Sequence, residues 1–169
     1  MGLLCLGTFF VKRGEIMKNG FDMIDEKILS LLQENARMSI KDIASEVYLS
    51  SPAVTARIER LEKNGVITGF HAQVNSEILG YSVKAFINHD LEPVQKDEFY
   101  PFIRQIPNVI ECNCVTGEYA MLIEVRFGNT SELDTFINEL QRFGKTRTQI
   151  VFSTAVEHRG IPVKCSSAS

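Results

Sequence analysis

Ser50-Ser51-Pro52-Ala53-Val54-Thr55-Ala56-Arg57-Ile58-Glu59-Arg60-Leu61-Glu62-Lys63-Asn64-Gly65 opens and closes as a helix should. Ser50 or Ser51 supplies an N-cap oxygen for the first unpaired N–H groups. Pro52 falls in the first turn, where its missing N–H costs little. Val54, Ile58 and Leu61 recur at helical spacing and make one apolar stripe. Asn64-Gly65 ends the run with a residue suited to the left-handed conformation. With the stripe inward, and about 100° of rotation per residue, Pro52, Ala56, Glu59 and Lys63 point away from the core. Thr55 and Arg60 flank that face, and Arg57 lies nearer its inner edge.

Upstream, Ser39 can cap a shorter helix with the stripe Ile40, Ile43, Ala44 and Val47, and Tyr48-Leu49 leaves only a tight connection to the next helix. Further back, Asp22 is an N-cap with Asp25 three residues on. Ile24, Ile28, Leu31 and Leu32 then mark one helix face as far as Asn35. Three helices within 22–65, the last two joined by a very short turn, form a helix-turn-helix pattern. Val66 to Val74 has β-rich content around Gly69 and reads as a strand or wing, followed by a connector from Asn75 to Tyr81.

The exposed start of the third helix is small and hydroxyl-rich: Ser50, Ser51, Pro52, Thr55 and Ala56. Small side chains let a helix sink into the major groove, where hydroxyls and methyl-bearing groups can meet base edges. Arg57, Arg60 and Lys63 sit where phosphate contacts would be useful. For any single residue an ordinary solvated face is an equal reading. For the three-helix unit taken together, binding of double-stranded DNA is favoured.

The second half has another rhythm. Strand-like Val83–Leu91 is followed by helical 95–106, a strand over 109–115, a turn at Thr116-Gly117-Glu118, a strand over 119–127, helical 131–143 and a last strand over 146–156. The helices carry matching stripes, Phe99, Phe102, Ile103, Ile106 and Leu133, Phe136, Ile137, Leu140. The order β-α-β-β-α-β with this half-repeat predicts a ferredoxin-like sandwich. Both helices then cover one sheet face, and the strands offer apolar residues to the other as well, Val109 and Val115 against Ile110 and Cys112. A bare apolar face implies a partner, most simply a second copy. The fold class is therefore α+β, a winged helix-turn-helix joined to a βαββαβ sandwich. The expected segments are an extension over 1–21, read as disordered; the helix-turn-helix over 22–66; a strand and linker over 67–81; the sandwich over 82–157; and a tail over 158–169. Met17 offers an alternative start.

The 169 residues carry 18 basic and 21 acidic side chains, a net charge of −3. Nine of each sign lie in 1–75, so the acidic excess belongs to the second half. That weak charge speaks against tight nucleic-acid binding by one copy. Two domains held on one duplex recover affinity through effective concentration. No apolar run approaches the roughly 20 residues of a membrane helix. The four cysteines are too few and scattered for a disulfide scaffold, so a reducing cytoplasm is the simple reading. Cys112 and Cys114 read as strand packing, beside Ile110 on one face, and His89 as a surface residue at a strand end. No glycine-rich phosphate loop, nucleophile elbow, carboxylate pair or metal-ligand spacing appears, so neither an enzyme nor a cofactor is expected.

In combination these stretches resemble the Lrp/AsnC, or feast/famine, family of transcriptional regulators. The resemblance rests on Asp25-Glu26-Lys27-Ile28-Leu29, Leu32-Gln33-Glu34-Asn35-Ala36-Arg37, Leu49-Ser50-Ser51-Pro52-Ala53-Val54, Arg57-Ile58-Glu59-Arg60-Leu61-Glu62-Lys63-Asn64-Gly65-Val66-Ile67, Gly69-Phe70, Pro107-Asn108-Val109, Val115-Thr116-Gly117-Glu118-Tyr119 and Lys145-Thr146-Arg147-Thr148. It covers about residues 22–160. It implies a DNA-binding unit joined to an effector-binding and assembly domain, homodimers or octamers, and response to an amino acid or related metabolite. Carried over, the effector candidates are Thr116, Gly117, Glu118 and Tyr119, with Thr146 and Thr148 behind them. One position departs from the family pattern: Ala120 stands where an Asp is usual, three residues after Gly117. The alternative reading is a small-molecule sensing or assembly module that does not itself bind DNA.

Overall fold

The computed structural model describes residues 21–163. Met17, the remainder of the N-terminal extension before Phe21, Cys5 and Cys165 lie outside them. Contacts divide the described chain into two units, 21–72 with 158–163, and 73–157.

In the first unit, α1 spans Met23–Glu34, α2 Ile40–Val47 and α3 Ser51–Lys63. Each begins on a side-chain cap. The Asp22 carboxylate accepts the N–H groups of Ile24 and Asp25, and the Asp25 carboxylate accepts the Asp22 N–H, a reciprocal capping box. Ser39 caps α2 through the Asp42 N–H, and Ser50 caps α3 through the Ala53 N–H. The three stripes meet in a core of Ile28, Leu31, Ile43, Ala44, Val47 and Val54, with Leu49 and Ile58 packed against it. Burial of each larger side chain contributes roughly 1.5–3 kcal/mol, so the stripes select this arrangement. The chain passes from α2 to α3 through Tyr48, whose backbone is left-handed at φ 55°, ψ 41°.

No strand forms over Val66–Val74, contrary to the expectation of a strand or wing. A strand is held by a neighbour's N–H and C=O groups, and no described segment pairs with this one. The connector then turns at Asn75, whose Oδ1 accepts the N–H groups of Glu77 and Ile78.

In the second unit, β1 (Val83–Leu91), α4 (Lys96–Gln105), β2 (Val109–Cys114), β3 (Met121–Phe127), α5 (Thr130–Leu140) and β4 (Gly144–Ile150) follow in order. The four strands make one antiparallel sheet, β2-β3-β1-β4, the ferredoxin-like order. Ala85, Ile87, His89 and Leu91 of β1 are buried while their alternates are not. That period of two is what a sheet with one covered face requires. Phe99 and Ile103 of α4 and Leu133, Phe136 and Leu140 of α5 complete the core.

Three features correct the sequence expectations. β4 ends at Ile150 rather than Val156, because its partner runs out. Ile150 pairs with Ala85, the Val151 N–H donates to the Lys84 carbonyl, and β1 begins at Val83. A bulge at Ile110 resets the register of β2, since Val109 pairs with Val125 and Glu111 with Glu124. An inserted residue flips every side chain beyond it. Val109, Cys112 and Cys114 therefore share the helix-covered side, Glu111 and Asn113 take the open one, and the pair of thiols is separated from Ile110. The open face is accordingly mixed, and Ile110 is exposed. Phe86 and Leu122 sit among Lys84, Glu124 and Arg126, with Lys84 and Arg126 3.3 and 3.7 Å from Glu124. Lastly, His89 is fully buried instead of lying at the surface. Among the described residues no helix is long and apolar enough to cross a membrane.

Candidate nucleic-acid interface

α3 exposes Pro52, Ala56, Glu59 and Lys63, the four residues its stripe turns outward, and Ser50 is exposed at its cap. Ser51 and Thr55 are half-buried. The Thr55 hydroxyl donates to the Ser51 carbonyl at 3.1 Å, and Ser50 Oγ accepts the Ala53 N–H. Both hydroxyls thus serve the first turn of their own helix and keep spare acceptor capacity toward solvent.

Arg57 and Arg60 both meet carboxylates at the start of α1. Arg57 Nη1 lies 2.9 Å from both Asp22 carboxylate oxygens and 2.8 Å from Asp25 Oδ1. Arg60 Nη2 lies 2.6 Å from Asp25 Oδ2. The Asp25 side chain is wholly buried, so it needs compensating charge, and the two guanidiniums provide it. Burial works against the Asp22 carboxylate, yet the Asp25 N–H and the Arg57 guanidinium outweigh it and hold its pKa below the ordinary value. The Asp25 hydrogen bond, offset in part by burial, raises the Arg57 pKa, with Asp22 adding to the rise. The capping box of α1 is thereby tied to α3. Periodicity places Arg57 at the inner edge of α3, but nothing in sequence shows that a carboxylate waits there.

The cationic surface is correspondingly thin. Residues 22–66 hold six basic side chains (Lys27, Arg37, Lys41, Arg57, Arg60 and Lys63) against eight acidic ones. With Arg57 and Arg60 engaged, Lys27, Arg37, Lys41 and Lys63 remain as exposed cations. Beside them stands a residue that sequence reasoning passed over. Tyr48 projects from the α2–α3 turn with 94% of its surface exposed.

The effector candidates occupy one end of the sheet. The Val115 N–H donates to the Ala120 carbonyl and closes the loop 116–119 between β2 and β3. Gly117 takes φ 123° there, a conformation open to glycine at no steric cost. Thr116, Gly117 and Glu118 are exposed, Tyr119 is half-buried, and Ala120 packs partly against the core. Thr146 and Thr148 are half-buried on β4, and Thr146 Oγ1 accepts from Gln141. Thr146 pairs with His89, and His89 with Met121, so two strand spacings separate β4 from the start of β3. That is roughly 10 Å, and one copy does not gather both groups into a single pocket. His89 occupies the middle of this row. It stacks on Phe99 at 5.4 Å between ring centroids, and neither ring nitrogen makes a well-formed hydrogen bond among the described residues. Burial lowers its pKa, despite the Lys145 backbone and Asp90 acting in the other direction.

The chain matches two family models. Residues 21–68 match winged helix-turn-helix DNA-binding, and residues 84–161 match the Lrp/AsnC ligand binding domain. It is 34% identical to the HTH-type transcriptional regulator LrpA of Bacillus subtilis over 77% of this chain and 96% of that one. It is 32% identical to the HTH-type transcriptional regulator FL11 of Pyrococcus furiosus over 88% of this chain and all of the other. Among solved structures, a feast or famine regulatory protein from M. tuberculosis, complexed with L-methionine, superposes with a TM-score of 0.80 at 27% identity, covering 85% of this chain and 100% of that one.

Proposed function

The chain belongs to the Lrp/AsnC family of helix-turn-helix transcriptional regulators, and from that premise we propose how its two units divide the work. α3 enters the major groove with Ser50, Ser51, Pro52, Thr55 and Ala56 toward base edges and Lys63 toward a phosphate. Arg57 and Arg60 hold α3 against α1 instead of meeting the backbone. The observation that carries this reading is the short left-handed turn before α3, which leaves the small, hydroxyl-bearing start of that helix exposed. A bulky or acidic surface there would be kept out of the groove.

The 73–157 unit joins copies into a dimer or a larger assembly and takes an amino acid at the 116–119 loop, with Thr146 and Thr148 of β4 contributing across copies. The methionine bound to the M. tuberculosis relative supports the ligand class. The separation of the loop from β4 within one copy supports a site shared between copies. Ala120 brings no carboxylate to this loop, so an effector amine is met by Glu118 or by backbone carbonyls. The protein acts in the cytoplasm on its own DNA and is not an enzyme; its relatives are named as regulators.

The test has two arms. Duplex fragments enriched from genomic DNA are titrated with the full chain and with Ala56→Glu, which is expected to abolish specific binding. Equal affinity of Ala56→Glu would rule out this docking of α3. Thermal unfolding is then followed with each amino acid, and stabilisation by one of them, lost in Glu118→Ala or Tyr119→Ala, identifies the effector.

A further inference from the structure

Tyr48 sits in the left-handed region at φ 55°. It is the one non-glycine residue with positive φ among the described residues. Such a backbone suits glycine, and asparagine or aspartate through local hydrogen bonds, whereas an aromatic residue gains nothing from it. Its neighbours account for the turn without it. Val47 is buried in the three-helix core, Leu49 packs against that core, and the Leu49 N–H donates to the Ala44 carbonyl. Glycine at position 48 would satisfy the same turn at lower cost. The ring repays little within the chain either, because it is 94% exposed. A strained residue with an unused aromatic side chain implies a contact outside the molecule.

The partner is set by position. Tyr48 lies two residues before Ser50, the cap of α3, on the turn that carries the recognition helix to the duplex. We propose that Tyr48 is a DNA-contacting residue, its ring packing on the sugar-phosphate wall of the groove and its hydroxyl donating to a phosphate oxygen. This rests on the docking of α3 described above. Neutral contacts suit this surface, since two of its six basic side chains are bound to Asp22 and Asp25. A phenol contact displaces no condensed counterion, so it adds affinity without adding salt dependence.

The experiment compares the full chain with Tyr48→Gly, Tyr48→Ala and Tyr48→Phe by fluorescence anisotropy. The probe is the duplex that the wild type enriches from a random-sequence library. Tyr48→Gly is expected to melt at a higher temperature and to bind about tenfold more weakly, and Tyr48→Phe about threefold more weakly. The slope of log affinity against log salt stays that of the wild type in all three. Tyr48→Ala removes the ring while keeping the strain, so it loses affinity without gaining stability. Wild-type affinity in Tyr48→Gly and Tyr48→Ala overturns the proposal, and so does a loss traced by light scattering to a changed assembly. Should the wild type enrich no duplex at all, the docking of α3 fails and this contact with it. Enrichment that Ala56→Glu abolishes but Tyr48→Gly leaves intact fails the contact alone.

Discussion

Asp25, wholly buried at the start of α1, receives Arg60 from α3 at 2.6 Å. The pair joins residues 35 positions apart, and Arg57 completes it by bridging Asp25 and Asp22. A buried carboxylate stripped of its partner is strongly destabilising, whereas a partly exposed guanidinium left alone returns to water. Arg57→Gln should therefore cost more stability than Arg60→Gln, because Arg57 serves both aspartates and is 25% exposed against 39% for Arg60. We expect about 3 and about 1 kcal/mol in urea unfolding. Neither variant should change the salt slope of DNA binding while folded. A slope lowered by about 0.9 for each arginine removed would make them phosphate ligands after all.

Acid should weaken the 73–157 unit through His89. Its folded pKa lies below the ordinary 6.5, so the unfolded chain binds more protons between the two values. Stability is then full above pH 6.5 and falls as the pH drops toward the folded value. Asp22 acts in the same direction at lower pH. Its folded pKa lies below 3.8, so its contribution is present above 3.8 and is lost as the pH falls through the folded value. His89→Leu should flatten the loss between pH 7 and 5 and should stabilise the chain at pH 7 by about 1 kcal/mol, since it removes a buried imidazole that makes no well-formed hydrogen bond among the described residues. A pH profile parallel to that of the wild type would assign the loss to other groups.

Much of this was legible from residue pattern alone, and the exceptions share a cause. Helix caps at Asp22, Ser39 and Ser50 and the period-two strand Val83–Leu91 are local features, and each appears where its residues put it. What escaped depends on distant partners. The end of β4 is set by where β1 starts, and the facing of Cys112 by one inserted residue at Ile110. The pairing of Arg57 with Asp25 joins residues 32 positions apart, which no local pattern shows. His89 alternates with buried residues along β1, and that period alone would have placed it inside. Tyr48 carries no signal in sequence, because backbone strain is invisible there.

Gly144 begins β4 at φ 144°, and a β-carbon there would collide with the Asp90 carbonyl. The carbonyl belongs to β1 and cannot retreat without opening the β1–β4 ladder. Gly144→Ala is thus expected to cost about 3 kcal/mol or more, well beyond the usual glycine-to-alanine effect of either sign. Hydrogen exchange should show faster opening of Asn88 to Leu91 than of the β2–β3 pairing. Uniform loss of protection across the sheet would mean that the strain spreads instead of staying at this edge.

The open sheet face makes the last test, of how copies join. Glu124 lies between Lys84 and Arg126, and all three are largely buried within one copy, at 19%, 19% and 26% side-chain exposure. Phe86 and Leu122 provide limited apolar area beside them, so charge arrangement weighs heavily in what this face can meet. Glu124→Lys places three cations together and should repel a second copy presenting the same set. If assembly uses this face, sedimentation velocity will show smaller species for Glu124→Lys. Reversal to the wild-type distribution in Glu124→Lys with Lys84→Glu would tie the effect to charge, because the ion pair is then restored with its signs exchanged. An unchanged distribution in Glu124→Lys, with only a lowered melting temperature, would confine the cluster to holding β1 against β3 and move the assembly surface elsewhere.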